Sequence, residues 1–283
     1  MNTFGRIFRV HIFGESHGES VGIVIDGVPA GLPITEDDLL PDLERRKGGK
    51  QKGTTPRQEA DYPFFKSGIF NGKATGAPIT ILFENNNTRS GDYEKQRAVP
   101  RPGHADFTYF NKYGIRDYRG GGRSSARETA ARVAAGAIAK LLLNELNIDI
   151  RSGICEIDGV KADNFNFENA RNSEIFALDS NVEDAQKNAI LKAKNSHNSV
   201  GGVALINIKN CPVGLGEPIY HKLDAQIANA MMSINAVKAV EIGDGILASR
   251  VLGFDNNDQI RKSGFKTNHS GGILGGISNG DDI

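Results

Sequence analysis

Two of the six histidines lie in loops whose composition suits proton transfer. His17 lies in the run GESHGES, directly after an apolar stretch, and His104 lies in RPGHADF. Imidazole titrates near neutral pH, so histidine is the common general acid or base in enzymes. Small residues surround both histidines, and arginine, aspartate or glutamate lies nearby. We therefore expect chemistry at His17 and His104, although a structural or surface role for each stays open.

A glycine-rich, cationic segment leads into a long apolar run at residues 119–143. Three glycines come first, followed by Arg123, Ser124, Ser125 and Arg127. Ser125 with Glu128 three residues later fits a capping box, so we expect a buried helix over about 124–146. A helix start attracts anions, and arginine adds forked donors that match phosphate or carboxylate. The pattern predicts an anion site, with a glycine-rich turn that exposes its arginines to water as the alternative.

A second cationic segment occupies residues 45–57. It contains six cations within thirteen residues and no acid before Glu59. The cations are Arg45, Arg46, Lys47, Lys50, Lys52 and Arg57. A ligand that carries phosphate and carboxylates would explain this density, and a solvated surface is the alternative.

Several common kinds of site are not supported by the sequence. No Gly-Lys-Ser/Thr follows the triple glycine, which excludes a Walker A loop, and no Gly-x-Gly-x-x-Gly follows the first strand. Ser16 lies beside His17 but lacks the Gly-x-Ser-x-Gly elbow of many serine hydrolases. Neither Cys-x-x-Cys nor a histidine-rich spacing indicates a metal, and two cysteines do not indicate a disulfide scaffold.

Composition is that of a soluble globular protein. The 283 residues include 34 basic and 34 acidic side chains, so bulk attraction to nucleic acid or membrane is not supported. No run approaches the roughly 18 apolar residues of a membrane span. The first residues lack the apolar core of a signal peptide, so we expect a cytoplasmic protein.

The order of predicted elements favours an α+β fold. Strands are expected in RIFRVHIFG, the glycine-punctuated run 63–85, IDIRSGICEIDGV and SVGGVALINIKN. A strand followed by a turn is expected in SVGIVIDGVPAGLPIT and in AVKAVEIGDG. Helices are expected in EDDLLPDLERRKGG, VEDAQKNAILKAKNS and HKLDAQIANAMMSI, while residues 85–122 are expected to be irregular. Such a mixed order favours mixed, mainly antiparallel sheets over a doubly wound parallel sheet. Strand, Pro-x-Gly-Leu and helix recur at 21–43 and 200–227, which leaves an internal two-fold repeat open.

The chain resembles the chorismate synthase family. The matching stretches are FGESHG, RRKGG with TTPRQEAD, SGIFNGKATGAPI, the forty-residue block that begins RPGHADF, AVKAVEIGDG and NHSGGILGGISNG. They span nearly the whole sequence. The resemblance implies a single domain over residues 1–283, in which sheets sandwich helices as a β-α-β sandwich.

The resemblance also implies a reaction. Family members are carbon–oxygen lyases that eliminate phosphate and a ring proton from 5-enolpyruvylshikimate-3-phosphate in an anti-1,4 sense, giving chorismate in the shikimate pathway. They require reduced FMN without net oxidation, with NADPH as an indirect reductant, in some cases through a separate flavin reductase. They are usually homotetramers. His17 would protonate the leaving phosphate, and His104 would lie by the reduced flavin and help set its protonation.

Further site residues follow from position in the family motifs. The flavin-contacting stretches correspond to Arg123, Ser124, Ser125, Asn235, Ala236 and Gly275. Arg46 corresponds to a position linked to NADPH. On charge and motif position, we expect Arg45, Arg101 and Arg127 to bind the substrate anions.

The sequence departs from the family pattern in two respects. The family usually has Pro where this chain has Gly48, and Arg where it has Lys52; lysine keeps the charge but loses the fork. Family members also continue past GGISNG with a Lys-Pro-Thr stretch and a Gly-Arg-His-Asp-Pro run whose Asp acts as a base. From this we expect the C-terminal part of the family domain to be missing and activity to be weak or absent. The alternatives are a non-catalytic fragment that binds flavin or anions, and an NADPH-dependent flavin reductase.

Overall fold

The computed structural model describes residues 1–48, 59–87, 91, 93–94 and 97–283. They divide into two compact units, Met1–Leu142 and Leu143–Ile283, which are treated in turn. Three cations of the predicted basic segment, Lys50, Lys52 and Arg57, lie outside the described residues.

A five-stranded antiparallel sheet forms the body of the first unit. Its strands are β1 (Thr3–Phe4), β2 (Arg9–Gly14), β3 (Ser20–Asp26), β4 (Phe64–Ser67) and β7 (Ile79–Glu84), in the order β1-β2-β3-β7-β4. Between β4 and β7, β5 (Ile69–Phe70) and β6 (Lys73–Ala74) form a separate hairpin. β3 lies at the centre of the sheet, paired with β2 on one edge and β7 on the other, and its side chains Val21, Ile23 and Ile25 are buried on one face.

The described residues of this part of the chain form three α-helices: α1 (Glu36–Arg46), α2 (Asp106–Tyr113) and α3 (Thr129–Glu145). Apolar side chains of β3, β7, α1 and α3 form one core, in which Ile23, Ile81, Leu39 and Ile138 have no exposed surface. Burying one such side chain stabilises the fold by about 1.5–3 kcal/mol.

Helix α1 begins with a reciprocal cap. The backbone N–H and the hydroxyl of Thr35 both donate to Oδ2 of Asp38, at 2.7 and 2.8 Å. Three acids lie in its first turn, and Arg45 and Arg46 lie in its last turn, as the helix dipole favours.

Helix α3 begins later than predicted. Ser125 does cap a helical turn, because its Oγ accepts a hydrogen bond from the backbone N–H of Arg127 at 3.3 Å. That turn is a short 3₁₀ segment, Ala126–Glu128, and the α-helix itself starts at Thr129. The predicted buried face is present, mostly as alanines.

Helix α2 was missed by the sequence reasoning, which treated residues 85–122 as irregular. Its aromatic residues Phe107, Phe110 and Tyr113 are all more than half exposed. No apolar stripe faces the core, so the hydrophobic period that identifies most helices is absent here. Gly114 ends α2 in the left-handed region, with φ 73°.

The second unit contains a three-stranded antiparallel sheet of order β10-β8-β9. Its strands are β8 (Asp149–Ile157), β9 (Val160–Lys161) and β10 (Gly202–Lys209). The unit also contains α4 (Phe167–Asn172), α5 (Glu183–Asn195), α6 (Leu223–Met232) and α7 (Gly253–Asn256). Two short hairpins follow, namely β11 (Ile260–Arg261) with β12 (Gly264–Phe265), and β13 (Ile273–Leu274) with β14 (Ile277–Ser278).

The α+β prediction is confirmed. Every registered strand pair in the described ranges is antiparallel, and the parallel contact there is a single bridge between Ile154 and Ala177. The β-α-β sandwich, the single domain and the internal repeat stay predictions. No helix among the described residues is both long and apolar enough to cross a membrane.

The prediction of a strand in AVKAVEIGDG is wrong. Residues 237–242 have no regular structure, and the segment is instead held by contacts between its glycine and a distant loop. An ideal Cβ on Gly243 would lie 2.2 Å from the carbonyl oxygen of His269, and one on Gly271 would lie 2.3 Å from the amide nitrogen of Gly243. Close packing of the backbones at Gly243 and Gly271 takes the place of the hydrogen-bonded strand pairing that was predicted.

Candidate active site

His17 lies in the tight loop that follows β2, and it is 8% exposed. The ring of Tyr93 meets the imidazole edge-on, with centroids 5.1 Å apart. Asn85 fixes this loop, because its Nδ2 donates to the carbonyl oxygens of Glu15 and Gly18 at 3.0 and 2.9 Å. The imidazole is therefore held in a largely dry position at the end of a core strand.

The triple glycine forms a turn in which all three residues have positive φ. The angles are 59°, 88° and 53° for Gly120, Gly121 and Gly122. An ideal Cβ on Gly120 would lie 2.1 Å from Cε1 and Nδ1 of His17, and one on Gly121 would lie 2.9 Å from Cε1 and Nε2 of His104. The two histidines that the sequence singled out thus lie against the same turn.

His104 lies between a cation and an anion. The Nη2 of Arg101 lies 3.2 Å from its Nδ1 and 3.1 Å from its Nε2. The Oδ1 of Asp106 lies 3.0 Å from Nδ1. The structure therefore brings the predicted substrate ligand Arg101 into direct contact with a predicted catalytic histidine.

Asp106 is buried and accepts several hydrogen bonds from one neighbour. Its side chain is 2% exposed, and Arg101 donates to it from Nε at 2.8 Å, from Nη2 at 3.1 Å and from the backbone at 3.1 Å. These hydrogen bonds outweigh burial and hold the pKa of Asp106 well below its usual range. Nη1 of Arg116 lies 3.2 Å away on the same carboxylate. Sequence reasoning missed Asp106, although an acid two residues after a candidate histidine was a signal.

The segment Arg123–Ser125 lies directly after the turn. Nη2 of Arg123 donates to Oδ1 of Asn2 and to the carbonyl oxygen of Ile12, both at 3.2 Å. Its Nη1 is buried without a hydrogen-bond partner in the part of the chain that the structure describes. Ser124 donates from Oγ to the carbonyl oxygen of Gly121 at 2.8 Å. A buried donor without a partner costs about 1–3 kcal/mol, so this geometry suits an anionic group of a ligand.

Arg46 and Arg127 meet on one buried carboxylate. Asp61, whose side chain has no exposed surface, accepts a short hydrogen bond from each guanidinium. Arg127 also donates from Nε to Oδ1 of Asn85 at 2.9 Å and from Nη2 to the carbonyl oxygen of Glu84 at 3.2 Å. The two arginines and one aspartate carry a net charge of +1, so their attraction for an anion is smaller than two free cations would exert.

Asp61 was not singled out from the sequence, and Arg45 has a different environment from its neighbour. The signal for Asp61 was its place at the end of TTPRQEAD, four residues after Arg57, the last cation of the basic segment. Arg45 is exposed in the last turn of α1. Of the three predicted substrate ligands, Arg101 and Arg127 are thus part of internal ion pairs, and Arg45 faces solvent.

Three predicted flavin contacts belong to the second unit. Asn235 and Ala236 follow α6 and are exposed, and Ala236 has the positive φ of 70° that is uncommon for alanine. Gly275 lies in the turn of the β13–β14 hairpin with φ 62°, and an ideal Cβ there would meet nothing within 4 Å. Both segments offer exposed backbone in unusual conformations.

A histidine–aspartate pair in the second unit was also missed. Nδ1 of His269 lies 2.6 Å from Oδ2 of Asp244. Asp258 holds the same loop by accepting hydrogen bonds from the backbone of His269 and from Ser270 and Thr267. Burial would raise the pKa of Asp258, but these hydrogen bonds outweigh it and hold that pKa well below its usual range.

The described residues contain no group of three or more histidine, cysteine or acidic side chains that could hold a metal ion.

Comparison with known proteins gives consistent matches over both units. The family profile described as Chorismate synthase matches residues 8–283. A chorismate synthase of Aliarcobacter butzleri is 70% identical, and the match covers 100% of this chain and 79% of the relative. The chorismate synthase of Sulfurimonas denitrificans is 61% identical with the same coverage. A solved structure, the crystal structure of chorismate synthase, has a TM-score of 0.81 and 33% identity, and covers 98% of this chain and 83% of that chain.

Proposed function

The chain belongs to the chorismate synthase family, and from that premise we propose that it eliminates phosphate from 5-enolpyruvylshikimate-3-phosphate to give chorismate. In this anti-1,4-elimination the carbon–oxygen bond to phosphate breaks, a ring carbon loses a proton, and a second ring double bond forms. The observation that carries the proposal is that His17 and His104 lie against one glycine turn, with Arg101 in contact with His104.

His17 is proposed as the acid that protonates the leaving phosphate. Its burial at 8% exposure excludes bulk water from the proton that it donates. A general acid of this kind typically contributes a factor of about 10²–10⁴ to the rate. His104 is proposed to lie beside the flavin and to help set its protonation, with its ring held by Arg101 and Asp106.

Reduced FMN fits the residues present. When bound, it would supply an electron transiently and take it back, so that the reaction has no net oxidation. Arg123 offers the buried Nη1 donor described above, and Ser124 and Ser125 follow it at the start of the segment that leads into α3. Asn235, Ala236 and Gly275 stay flavin contacts that the family resemblance predicts.

Arg45, Arg101 and Arg127 are the proposed ligands of the substrate phosphate and carboxylates. Arg45 brings an exposed charge, whereas Arg101 and Arg127 bring donors that their aspartate partners hold in place. Pre-organised forked donors lose less side-chain entropy when they bind a planar anion. Arg46 is proposed to contact NADPH, an indirect source of electrons, and a separate flavin reductase is the other source.

The test is an anaerobic assay of the whole chain with chemically reduced FMN and 5-enolpyruvylshikimate-3-phosphate, followed by chorismate absorbance. Product formation that His17→Asn slows about 10²–10⁴-fold supports the proposal. Flavin binding without product overturns it and favours a non-catalytic flavin-binding protein. Oxidation of NADPH by FMN without added reductase would favour a flavin reductase instead.

We also propose that the protein is a cytoplasmic homotetramer, the usual state of family members. Sedimentation equilibrium tests the oligomeric state, since a tetramer has four times the mass of the 30.5 kDa chain.

A further inference from the structure

We propose that Gly120 and Gly121 are positioning residues, whose lack of side chains lets a single turn hold His17 and His104 at the same time. The inference rests on the proposed function, which assigns chemistry to both histidines. It gives the glycines a purpose other than forming part of the anion site that the sequence predicts.

The contact at Gly120 leaves no space for a methyl group. An ideal Cβ there would lie 2.1 Å from two ring atoms of His17 and 3.1 Å from the Oγ of Ser16. The optimal separation of two non-bonded carbon atoms is about 3.5–4.0 Å. The ring of Tyr93 also packs against the imidazole. A methyl group at position 120 must therefore displace the imidazole or the turn.

The turn is the less movable partner. The carbonyl oxygen of Gly122 accepts a hydrogen bond from the backbone N–H of Ser16 at 3.1 Å, which ties the turn to the residue before His17. On its other side the turn packs against Asp117, since an ideal Cβ on Gly122 would lie 2.9 Å from the Asp117 carbonyl oxygen. With the backbone fixed at both sides, the side chain of His17 is the part that moves.

The contact at Gly121 is similar but looser. An ideal Cβ there would lie 2.9 Å from Cε1 and Nε2 of His104 and 3.2 Å from Nη2 of Arg101. The side chain of His104 is 26% exposed, so it has room to rotate. We therefore expect alanine at position 121 to disturb His104 less than alanine at position 120 disturbs His17.

A second explanation of the glycines is backbone strain alone, because all three have positive φ. Gly114 provides the matched control for that explanation. Its φ is 73°, close to those of the turn, and an ideal Cβ there meets nothing within 4 Å. Gly114→Ala therefore imposes the strain without a contact to either histidine.

The experiment compares Gly120→Ala, Gly121→Ala and Gly114→Ala for kcat, KM and Tm. A misplacement of about 1 Å at a catalytic group can cost about 10²-fold in rate. We expect kcat to fall about 10²-fold in Gly120→Ala and less in Gly121→Ala, with KM changed less than threefold. Gly114→Ala should keep kcat within threefold. An equal loss in all three variants, or a raised KM with unchanged kcat, would overturn the inference.

A double-mutant cycle with His17→Ala separates this inference from the proposed function, because its readout is Tm. Removing the imidazole removes the clash, so Gly120→Ala should lower Tm at least twice as much in the wild-type background as in His17→Ala. Additive changes in Tm would refute the positioning role even if chorismate is formed. If the Tm changes are coupled but the protein forms no chorismate, the positioning contact is supported and only the proposed function is refuted.

Discussion

Asp106 holds its buried carboxylate 3.0 Å from Nδ1 of His104. One residue separates His104 and Asp106 in the chain, and Arg101 joins them by donating to the carboxylate while it touches the imidazole. Arg101 and Arg116 share the negative charge of Asp106, so it offsets only part of the positive charge of the two guanidiniums. The position of this histidine therefore depends on a residue that has no direct part in the proposed chemistry.

Replacing Asp106 by Asn should destabilise the protein at neutral pH. The change removes the charge and leaves the guanidinium of Arg101 without its partner. Hydrogen bonds to charged groups contribute about 1.5–3 kcal/mol, and we expect a loss of this size in urea unfolding at pH 7. Glu168→Gln is the control, because the pair of Glu168 with Arg171 is more than 60% exposed on both sides and should contribute less than about 1 kcal/mol.

The pH dependence of this effect has a defined sign. The native pKa of Asp106 is lowered by its hydrogen bonds from Arg101, whereas the unfolded value is about 3.9. A lowered native pKa stabilises the fold above the unfolded pKa, and that stabilisation is lost as the pH falls. The difference in unfolding free energy between wild type and Asp106→Asn should be constant above about pH 5 and shrink below about pH 4. A difference that grows in acid would contradict the ion pair.

We expect replacement of Asp61 to destabilise the first unit more than replacement of any other charged residue that the structure describes there. Asp61→Asn leaves two guanidiniums, those of Arg46 and Arg127, without their shared anion. Removing one partner of a buried pair typically costs about 3–5 kcal/mol. Asp42→Asn, which breaks a partly exposed pair with Lys140, should cost about 1 kcal/mol or less. Equal losses in the two variants, measured by thermal unfolding, would show that Asp61 is not the anchor of this cluster.

Local signals in the sequence predicted much of the fold but few of the partners within the site. Alternation and apolar runs located β2, β3 and β7, and the capping residues near Ser125 predicted a helix that does form. Asp61 and Arg127 are 66 residues apart, and no local pattern indicates which distant charge a buried acid will meet. The triple glycine was recognised as part of a predicted anion site, but local sequence does not identify the atoms that pack against it.

The same limit explains the false strand at AVKAVEIGDG. Its apolar alternation suits a strand, and a strand would be compatible with local propensity. The structure is decided instead by Gly243, which packs on Gly271, and by Asp244, which pairs with His269. Tertiary contacts across about 25 residues override a local preference of modest size.

His17 and His11 offer a direct comparison of a candidate catalytic histidine with a structural one. His11 lies in β2 and its Nδ1 is 2.8 Å from Oγ1 of Thr3. His17→Asn should lower kcat about 10²–10⁴-fold in the chorismate assay, because asparagine cannot donate a proton at neutral pH. His11→Asn should change kcat less than threefold. Similar losses in both variants would mean that His17 acts through stability, which Tm measurements on the same samples would reveal.

Arg123 should be needed for flavin affinity more than for folding. Its buried Nη1 has no hydrogen-bond partner among the described residues, so a bound anionic ligand would relieve the cost of burying that donor. Lysine keeps the charge but lacks the forked donors, and we expect Arg123→Lys to weaken the binding of FMN about tenfold, which corresponds to about 1.4 kcal/mol. Fluorescence titration of FMN measures the change, with Arg151→Lys in the second unit as the control at an exposed arginine. Unchanged affinity in Arg123→Lys, with Tm also unchanged, would remove Arg123 from the flavin site and leave its buried donor without a ligand to explain it.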